Sequence, residues 1–280
     1  MENLFCIAWL DLALKDLSPN DERNNQVIGT GICNFDFGAT GKNNILVWNG
    51  DSSKPVKCSK QSKITFHGSN SIVFIGKNDG ENEHSFDIQI CGDNFCYIGD
   101  DTIFNIKTRP ARIMCTYGAS IFIGNECLIE DRCRIKTSDG HPIYGSDSKK
   151  LINKADNIYI GDHCWIGVES FILKGTEIGS GGIINTKALI SKGKIPSNSL
   201  SEKIPAEVTQ RNVFHINSII DKDTEETCAE TKYIYSKDNT YTTFKEVQDS
   251  IMQLPVSERA NKLKEYNTNY KSTKNRFFRE

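Results

Sequence analysis

The sequence lacks three features that would assign it to a class of protein at once. It has no excess of either charge, with 34 Lys and Arg against 36 Asp and Glu, so the chain as a whole is not drawn to nucleic acid or another polyanion. Its apolar run at residues 4–10 ends at Asp11 and is too short to cross a bilayer as a helix. Because Glu2 stands where a signal peptide carries positive charge, we expect no secretory leader.

The third missing feature is a C-x-x-C pair. The chain has ten cysteines, but no two have the spacing that zinc ribbons and thioredoxin-like sites use. We therefore expect no metal site and a reducing, cytoplasmic setting in which free thiols are ordinary. With 280 residues, 38% of them hydrophobic, the chain is long enough to bury a core without stabilisation by disulfide bonds or metal ions.

What the sequence has instead is a repeat of six residues. Isoleucine recurs at every sixth position from Ile160 to Ile190, and the residue four places after each of the first five is small. The same phase holds upstream from Ile123 to Ile135. A period of six fits neither a helix nor a hairpin meander. It predicts an all-β solenoid of short parallel strands with three faces, in which three hexads complete a coil of 18 residues.

The repeat predicts which residues stack. Ile166 should lie on Ile184 and Ile172 on Ile190, about 4.8 Å apart as neighbouring strands are, so that isoleucines fill the axis of a triangular prism. The small positions point into the crowded interior and include three of the cysteines, Cys127, Cys133 and Cys164. Glycines that follow the isoleucines are expected at corners with unusual backbone angles.

The repeat also divides the chain. Ile-Gly pairs at residues 75–76 and 98–99, and the alternating run at 86–90, indicate earlier and less regular coils. We predict a β-helix over 27–215, an N-terminal cap over 1–26 and a partly helical extension over 216–280. Within the extension, one helix is expected near 243–254 and a second from Ser257, because Pro255 separates two apolar patterns.

The register lapses between Ile135 and Ile160, so residues 136–157 must leave the prism as a loop. Long loops on a rigid scaffold commonly carry function. The loop holds one histidine, His141. An imidazole with an unperturbed pKa of about 6.5 suits a general base near neutral pH.

Four motifs carry a resemblance to a known family. They are S-D-G-H-P-I at 138–143 followed by I-N at 152–153, I-Y-I-G-D-H-C-W-I-G at 158–167, K-G-T-E-I-G-S-G at 174–181 and I-S-K-G-K-I-P-S-N-S-L at 190–200. Over about residues 86–215 the chain resembles the left-handed β-helix hexapeptide acyltransferases. Among these it is most similar to bacterial O-acetyltransferases of capsule or O-antigen sugars, including polysialic acid O-acetyltransferases. The resemblance implies a homotrimer that uses acetyl-CoA in clefts between subunits.

The resemblance also implies roles for individual residues. His141 would be the general base, Trp165 would lie beside it, and Asp139 would orient the imidazole or hold an acceptor hydroxyl. His163 would be a structural corner residue. Four further positions correspond to coenzyme contacts, namely Val168, Thr186, Ser191 and Lys192.

One departure from the family concerns its usual G-N-P-A-[KR] ending. Here Glu207 occupies the position of a basic residue that commonly helps to hold the nucleotide. Lys203 or Arg211 is expected to substitute for it.

These observations predict an acetyl-CoA-dependent sugar O-acetyltransferase that acts by direct transfer on a bacterial surface polysaccharide. A small-molecule acyltransferase on the same fold, with an amino acid or amino sugar as acceptor, is an alternative. A carbonic anhydrase of the γ type needs three histidines on adjacent coils, and only His141 and His163 lie in the regular part; a purely structural β-helix remains a third class.

The chain ends in a basic, aromatic segment, residues 271–280. It could contact capsule assembly machinery, in which case the protein would be peripheral at the inner membrane face, or it is a solvated tail.

Overall fold

The computed structural model describes residues 22–78, 83–218, 228–237, 244–269 and 277–280. Most of the predicted cap at 1–26, Cys6 and the lysines of the basic end lie outside the described residues. So does most of the acidic stretch after residue 218.

Three parallel sheets form the faces of a prism, and strands are numbered along the chain. The eight-stranded sheet contains β1 (Gln26–Ile28), β4 (Ile45–Trp48), β7 (Ile72–Ile75), β9 (Phe95–Ile98), β12 (Ile121–Ile123), β15 (Ile158–Ile160), β18 (Glu177–Ile178) and β21 (Lys194–Ile195). The six-stranded sheet contains β10 (Ile103–Asn105), β13 (Leu128–Glu130), β16 (Trp165–Ile166), β19 (Ile183–Ile184), β22 (Ser199–Glu202) and β23 (Glu207–Arg211). The seven-stranded sheet contains β3 (Asn34–Asp36), β6 (Lys63–Phe66), β8 (Phe86–Ile90), β11 (Ala111–Cys115), β14 (Arg134–Lys136), β17 (Phe171–Leu173) and β20 (Leu189–Ile190).

A short pair, β2 (Gly31–Ile32) and β5 (Val56–Lys57), forms a separate parallel ladder in the first coils. Only β23 runs antiparallel to its neighbour among the described strands, and it folds back on β22. The prism therefore has a regular course from β1 to β22 and a hairpin at its last coil.

The stacking predicted from the repeat is confirmed. Ile166 pairs in register with Ile184, and Ile172 pairs with Ile190. The side chains of Cys127, Cys133 and Cys164 are fully buried in the same core. Small residues are needed there because each coil closes on itself within 18 residues and leaves little space beside the isoleucines.

The corner glycines have a different role from the predicted one. Gly161 and Gly167 do not adopt positive φ, and a Cβ at either would lie 2.4 Å or 2.7 Å from the backbone of the next coil. Positive φ at the corners is adopted instead by larger residues such as His163, Glu169 and Lys192. The prediction of unusual backbone angles was wrong at these glycines, because their missing side chain allows two coils to approach.

The earlier coils are filled differently. Their strands are up to five residues long, and large aromatic side chains join the aliphatic core of the prism, among them Trp48, Phe66, Phe86 and Phe104. Larger residues on longer strands fill a wider coil. This is why the six-residue repeat is weak in the first half of the sequence.

Two helices of the C-terminal extension cover the outside of the eight-stranded sheet. They are α1 (Phe244–Met252) and α2 (Val256–Asn269). Their buried face, with Phe277, packs on outward-facing residues of β4, β7, β9 and β12 in a second apolar cluster. At its centre Phe122 contacts the rings of Phe244 and Tyr266, with centroids 4.4 and 5.4 Å away.

The predicted fold class is confirmed: this is a left-handed parallel β-helix with an extruded loop between β14 and β15 and a small helical extension. In the part of the chain that the structure describes, no helix is long and apolar enough to span a membrane.

Candidate functional site

The extruded loop, residues 137–157, leaves the prism where the seven-stranded sheet turns into the eight-stranded sheet. We call this corner the loop edge; residues 174–176 and 191–193 form its next two levels. The loop folds as a hairpin, since Tyr144 and Leu151 form an antiparallel bridge and the N–H of Ile152 donates to the carbonyl of Ile143 at 2.9 Å. Its tip is exposed and mostly polar, and the few large apolar side chains of the loop are exposed as well.

His141 lies at the start of this hairpin and is exposed. Its carbonyl accepts a hydrogen bond from Nδ2 of Asn153 at 2.9 Å. Within the described residues its imidazole has no hydrogen-bond or ring partner. The backbone of His141 is therefore held, while its ring is open to a ligand.

Asp139 lies two residues before His141. Its Oδ2 accepts hydrogen bonds from Lys174 at 2.5 Å and from Asn153 at 2.9 Å. The Lys174 ammonium and then the Asn153 amide hold the pKa of the Asp139 carboxyl below its ordinary value. Asp139 thus holds the loop to the prism, and a direct bond to the imidazole is not among its described contacts.

Trp165 lies on β16, on the outside of the six-stranded sheet, between Leu128 and Ile183 of the adjacent coils. Its ring is half-buried, and its nearest aromatic neighbour is His215, at a centroid distance of 5.8 Å. The indole Nε1 is buried without a hydrogen-bond partner in the described part of the chain.

The predicted coenzyme residues fall at two different corners. Val168 and Thr186 stack at the corner that follows Trp165, which we call the tryptophan edge (residues 167–170 and 185–188); the N–H of Lys187 donates to the carbonyl of Val168 at 2.8 Å. Ser191 and Lys192 are exposed at the loop edge, where the N–H of Lys192 donates to the carbonyl of Lys174 at 2.9 Å.

The candidate residues therefore form two groups. Asp139, His141, Ser191 and Lys192 share the loop edge, whereas Trp165, Val168 and Thr186 share the tryptophan edge. The three residues of β17 separate the two edges, a distance of about 10 Å for an extended strand. Among the described residues, His141 and Trp165 share no hydrogen bond or ring contact within one chain.

The expected substitutes for the missing basic residue lie in the β22–β23 hairpin. Lys203 forms an ion pair with Glu207 at 2.6 Å, and both side chains are exposed. Arg211 is exposed opposite Ser199. Lys203 is thus paired with the very residue that departs from the family pattern, and the coenzyme role of either cation stays a prediction.

The sequence did not point to a stack of aromatic rings behind Trp165. His163 and His215 stack with centroids 4.1 Å apart, and Tyr233 lies 3.5 Å from the other face of His163. Nε2 of each histidine lies within hydrogen-bond distance of the other's backbone carbonyl, at 2.9 and 3.1 Å. Burial lowers the pKa of His215 to about 4 and also lowers that of His163.

His215 and Tyr233 lie outside the repeat, so only their arrival at this corner in the fold reveals them. No periodicity or motif in the sequence could have indicated the contact.

The buried thiols are poor nucleophiles. The described cysteines are free, and burial raises the pKa of Cys133 to about 12 and that of Cys127 well above its ordinary value. Thiols that stay protonated do not attack a thioester. Among the described residues, no group of three or more His, Cys, Asp or Glu side chains could hold a metal ion.

The fold is similar to that of solved acetyltransferases of the hexapeptide-repeat type, which confirms the resemblance seen in the motifs. No family model matches the chain. The crystal structure of the polysialic-acid-specific acetyltransferase NeuO is similar, with a TM-score of 0.57 and 28% identity, over 72% of this chain and 88% of that one.

Two curated relatives are similar in sequence. The polysialic acid O-acetyltransferase of Escherichia coli O1:K1 is 32% identical over 95 residues, which are 34% of this chain and 31% of the relative. That of Neisseria meningitidis is 27% identical over 132 residues, 41% of this chain and 60% of the relative. This chain thus spans less than two thirds of either curated relative.

Proposed function

We propose that this chain is a sugar O-acetyltransferase that transfers acetyl from acetyl-CoA to a hydroxyl of a bacterial surface polysaccharide. The observation that supports this most is the S-D-G-H loop on a hexapeptide β-helix that is similar to two polysialic acid O-acetyltransferases. Polysialic acid is therefore the first acceptor to test. A small amino acid or amino sugar is the alternative acceptor.

In the proposed reaction, His141 takes the proton of the acceptor hydroxyl as its oxygen attacks the thioester carbonyl. A carbon–oxygen bond forms, the carbon–sulfur bond of the tetrahedral intermediate breaks, and CoA leaves as a thiol after receiving the proton from the imidazolium. The open imidazole of His141 suits this role. No cysteine takes part, which agrees with the raised pKa values of the buried thiols.

Trp165 would contribute its ring and its N–H. The indole Nε1 is buried and unpartnered in the described chain, so it would donate to an oxyanion or an acceptor oxygen once the ring turns toward the bound substrate. Val168 and Thr186 would contact the pantetheine arm, and Ser191 and Lys192 the adenosine phosphates, for which the Lys192 ammonium would act as a point charge.

We further propose that the working form is a homotrimer. His141 and Trp165 lie on different edges of one prism, so one complete site would combine the loop edge of one copy with the tryptophan edge of the next. The extruded loop also exposes Ile143, Tyr144 and Ile152, with 51%, 59% and 62% of their surfaces accessible. Apolar side chains in such number on one loop fit contact with a second copy.

The test is acetyl transfer from acetyl-CoA to polysialic acid, followed as a mass increase of one acetyl group. His141→Ala should lower turnover by about 10²- to 10⁴-fold, while acetyl-CoA binding and the oligomeric state stay unchanged. His67→Ala is the matched control, because His67 is an exposed histidine after β6, several coils before the extruded loop on the same edge of the prism, and it should leave turnover unchanged. Near wild-type turnover of His141→Ala would remove it as the base, and transfer to small acceptors only would favour the alternative.

The same variant also tests whether each active site is formed by two copies of the chain. Trp165→Ala should also lower turnover substantially. When His141→Ala and Trp165→Ala chains are unfolded and refolded together in equal amounts, about a quarter of the sites should regain wild-type activity, those that receive one intact edge from each variant. No recovery, or a monomer by light scattering, would contradict the trimer.

A further inference from the structure

We infer that Lys174 is a positioning residue for His141, acting through an ionic clasp made of Lys174, Asp139 and Asn153. The inference rests on the proposed function, since it concerns the loop that carries the proposed base. Nothing in the six-residue repeat marks Lys174; its role emerges from the contacts its ammonium makes.

Lys174 is unusual because its charge is buried. It follows β17 on the loop edge, directly beneath the extruded loop, and is only 6% exposed. Its Nζ donates to Oδ2 of Asp139 at 2.5 Å and to the carbonyl of Asn153 at 3.2 Å. A buried ammonium is costly unless it is paired and hydrogen-bonded. These two contacts satisfy the charge of Lys174, and they also hold the loop against the prism.

Asn153 carries the restraint from Lys174 to His141. Its Nδ2 donates both to Asp139 and to the carbonyl of His141, each at 2.9 Å. Its Oδ1 accepts from the N–H of Ile143 at 2.7 Å. One side chain thus bridges the two strands of the hairpin at the level of the histidine.

The other described contacts of the loop do not restrain His141 in this way. The root is fixed by the paired hydroxyls of Thr116 and Ser138 at 2.6 Å, and the tip by hairpin bonds beyond Ile143. Between them lie residues 139–142, which are exposed. The clasp is therefore what sets the position of the His141 backbone, and with it the reach of the imidazole.

The experiment compares Lys174→Met with Lys174→Arg, Asn153→Ala and the control Lys194→Met, since the side chain of Lys194 is 65% exposed beside Glu177. Lys174→Met should lower kcat about 10- to 100-fold, the scale of a misplaced catalytic group. KM for acetyl-CoA should change less than about threefold, because the clasp holds the base and not the coenzyme. Lys174→Arg should recover part of kcat, Asn153→Ala should resemble Lys174→Met, and Lys194→Met should be neutral.

Two readouts separate positioning from a general loss of structure. Amide hydrogen exchange at residues 139–145 should rise in Lys174→Met while the coils at 158–201 stay protected. The near-constant KM for acetyl-CoA is the second readout, because a general loss of structure would also disturb the coenzyme contacts and raise KM.

Each outcome bears on the inference separately from the proposed function. If the wild type has no transferase activity, the proposed function fails and the exchange data alone decide whether the clasp exists. If His141→Ala is inactive but Lys174→Met keeps wild-type kcat, the positioning role is wrong whatever the exchange shows. A fall in kcat with unchanged exchange would also overturn it, and if Lys174→Met does not fold, the same criteria apply to Asn153→Ala.

Discussion

Two additions to the same prism are built in opposite ways. The C-terminal helices α1 and α2 bury an aromatic face against the eight-stranded sheet, whereas the extruded loop at 137–157 exposes most of its side chains and is held by a handful of polar contacts. Burial of apolar area supplies most of the free energy of folding. The extension therefore contributes mainly to stability, whereas the few contacts of the loop hold it in place and leave its histidine accessible.

The largest expected effect on stability concerns the packing of the C-terminal helices on the prism. Phe122→Ala should lower the free energy of unfolding by about 4 kcal/mol, because Phe122 is 1% exposed and touches both helices through Phe244 and Tyr266. Urea denaturation followed by circular dichroism measures it.

The matched variant on the loop side is Tyr144→Ala. Tyr144 is 59% exposed in the single chain, so the loss should stay within about 0.5 kcal/mol when both variants are compared at a concentration where the chain is monomeric. If Phe122→Ala and Tyr144→Ala lowered the free energy of unfolding equally, the difference drawn between the helical extension and the loop would be wrong.

A pH dependence tests the ring stack that lies behind Trp165. Burial, and then the neighbouring His163, lower the pKa of His215 to about 4, against about 6.5 in the unfolded chain. The neutral ring therefore stabilises the fold above pH 6.5, and this contribution is lost as the pH falls from 6.5 toward 4. The loss should reach about 2 kcal/mol at pH 5.

The charged groups at this stack are Glu126 and Lys232, which form an ion pair at 2.7 Å. Since carboxylates elsewhere also titrate, the measurement is the difference in stability between pH 7 and pH 5 for the wild type and for His215→Phe, which keeps a planar ring without the titration. The difference should be smaller in the variant, and the same slope in both proteins would show that His215 does not contribute.

The smallest effect concerns the polar contacts under the helices. The hydroxyl of Tyr97 donates to Oδ1 of Asn267 at 2.6 Å, and Nδ2 of Asn267 donates to Asp100 at 3.2 Å. Tyr97→Phe leaves a buried acceptor without its donor and should cost about 1 to 2 kcal/mol by thermal or chemical denaturation.

Tyr117→Phe is the control for this substitution, because Tyr117 is 63% exposed and should show no change. A Tyr97→Phe variant as stable as its parent would mean that the helices are held by apolar burial alone.

The repeat allowed the hexads from Ile123 to Ile135 and from Ile160 to Ile190 to be predicted almost residue by residue. A six-residue period is a local rule, since three hexads bring each inward isoleucine onto the one 18 residues later, as in the pairs Ile160–Ile178, Ile166–Ile184 and Ile172–Ile190. The first coils obey the rule less well because Trp48 and Phe66 fill wider turns. The glycine corners were placed correctly but for the wrong reason, since close approach of coils is a property of the stack and not of one residue.

Spacing along the chain, which the sequence contains in full, was enough to predict the β-helix and the loop that leaves it. The candidate residues His141 and Trp165 were indicated by the motifs that resemble a known family, at 138–143 and 158–167. The tertiary structure decided that the candidates divide between two edges, that Lys174 and Asn153 clasp the loop, and that His215 stacks behind Trp165. These contacts join residues 12 to 52 positions apart through side chains whose geometry no periodicity encodes, so only the folded chain brings them together.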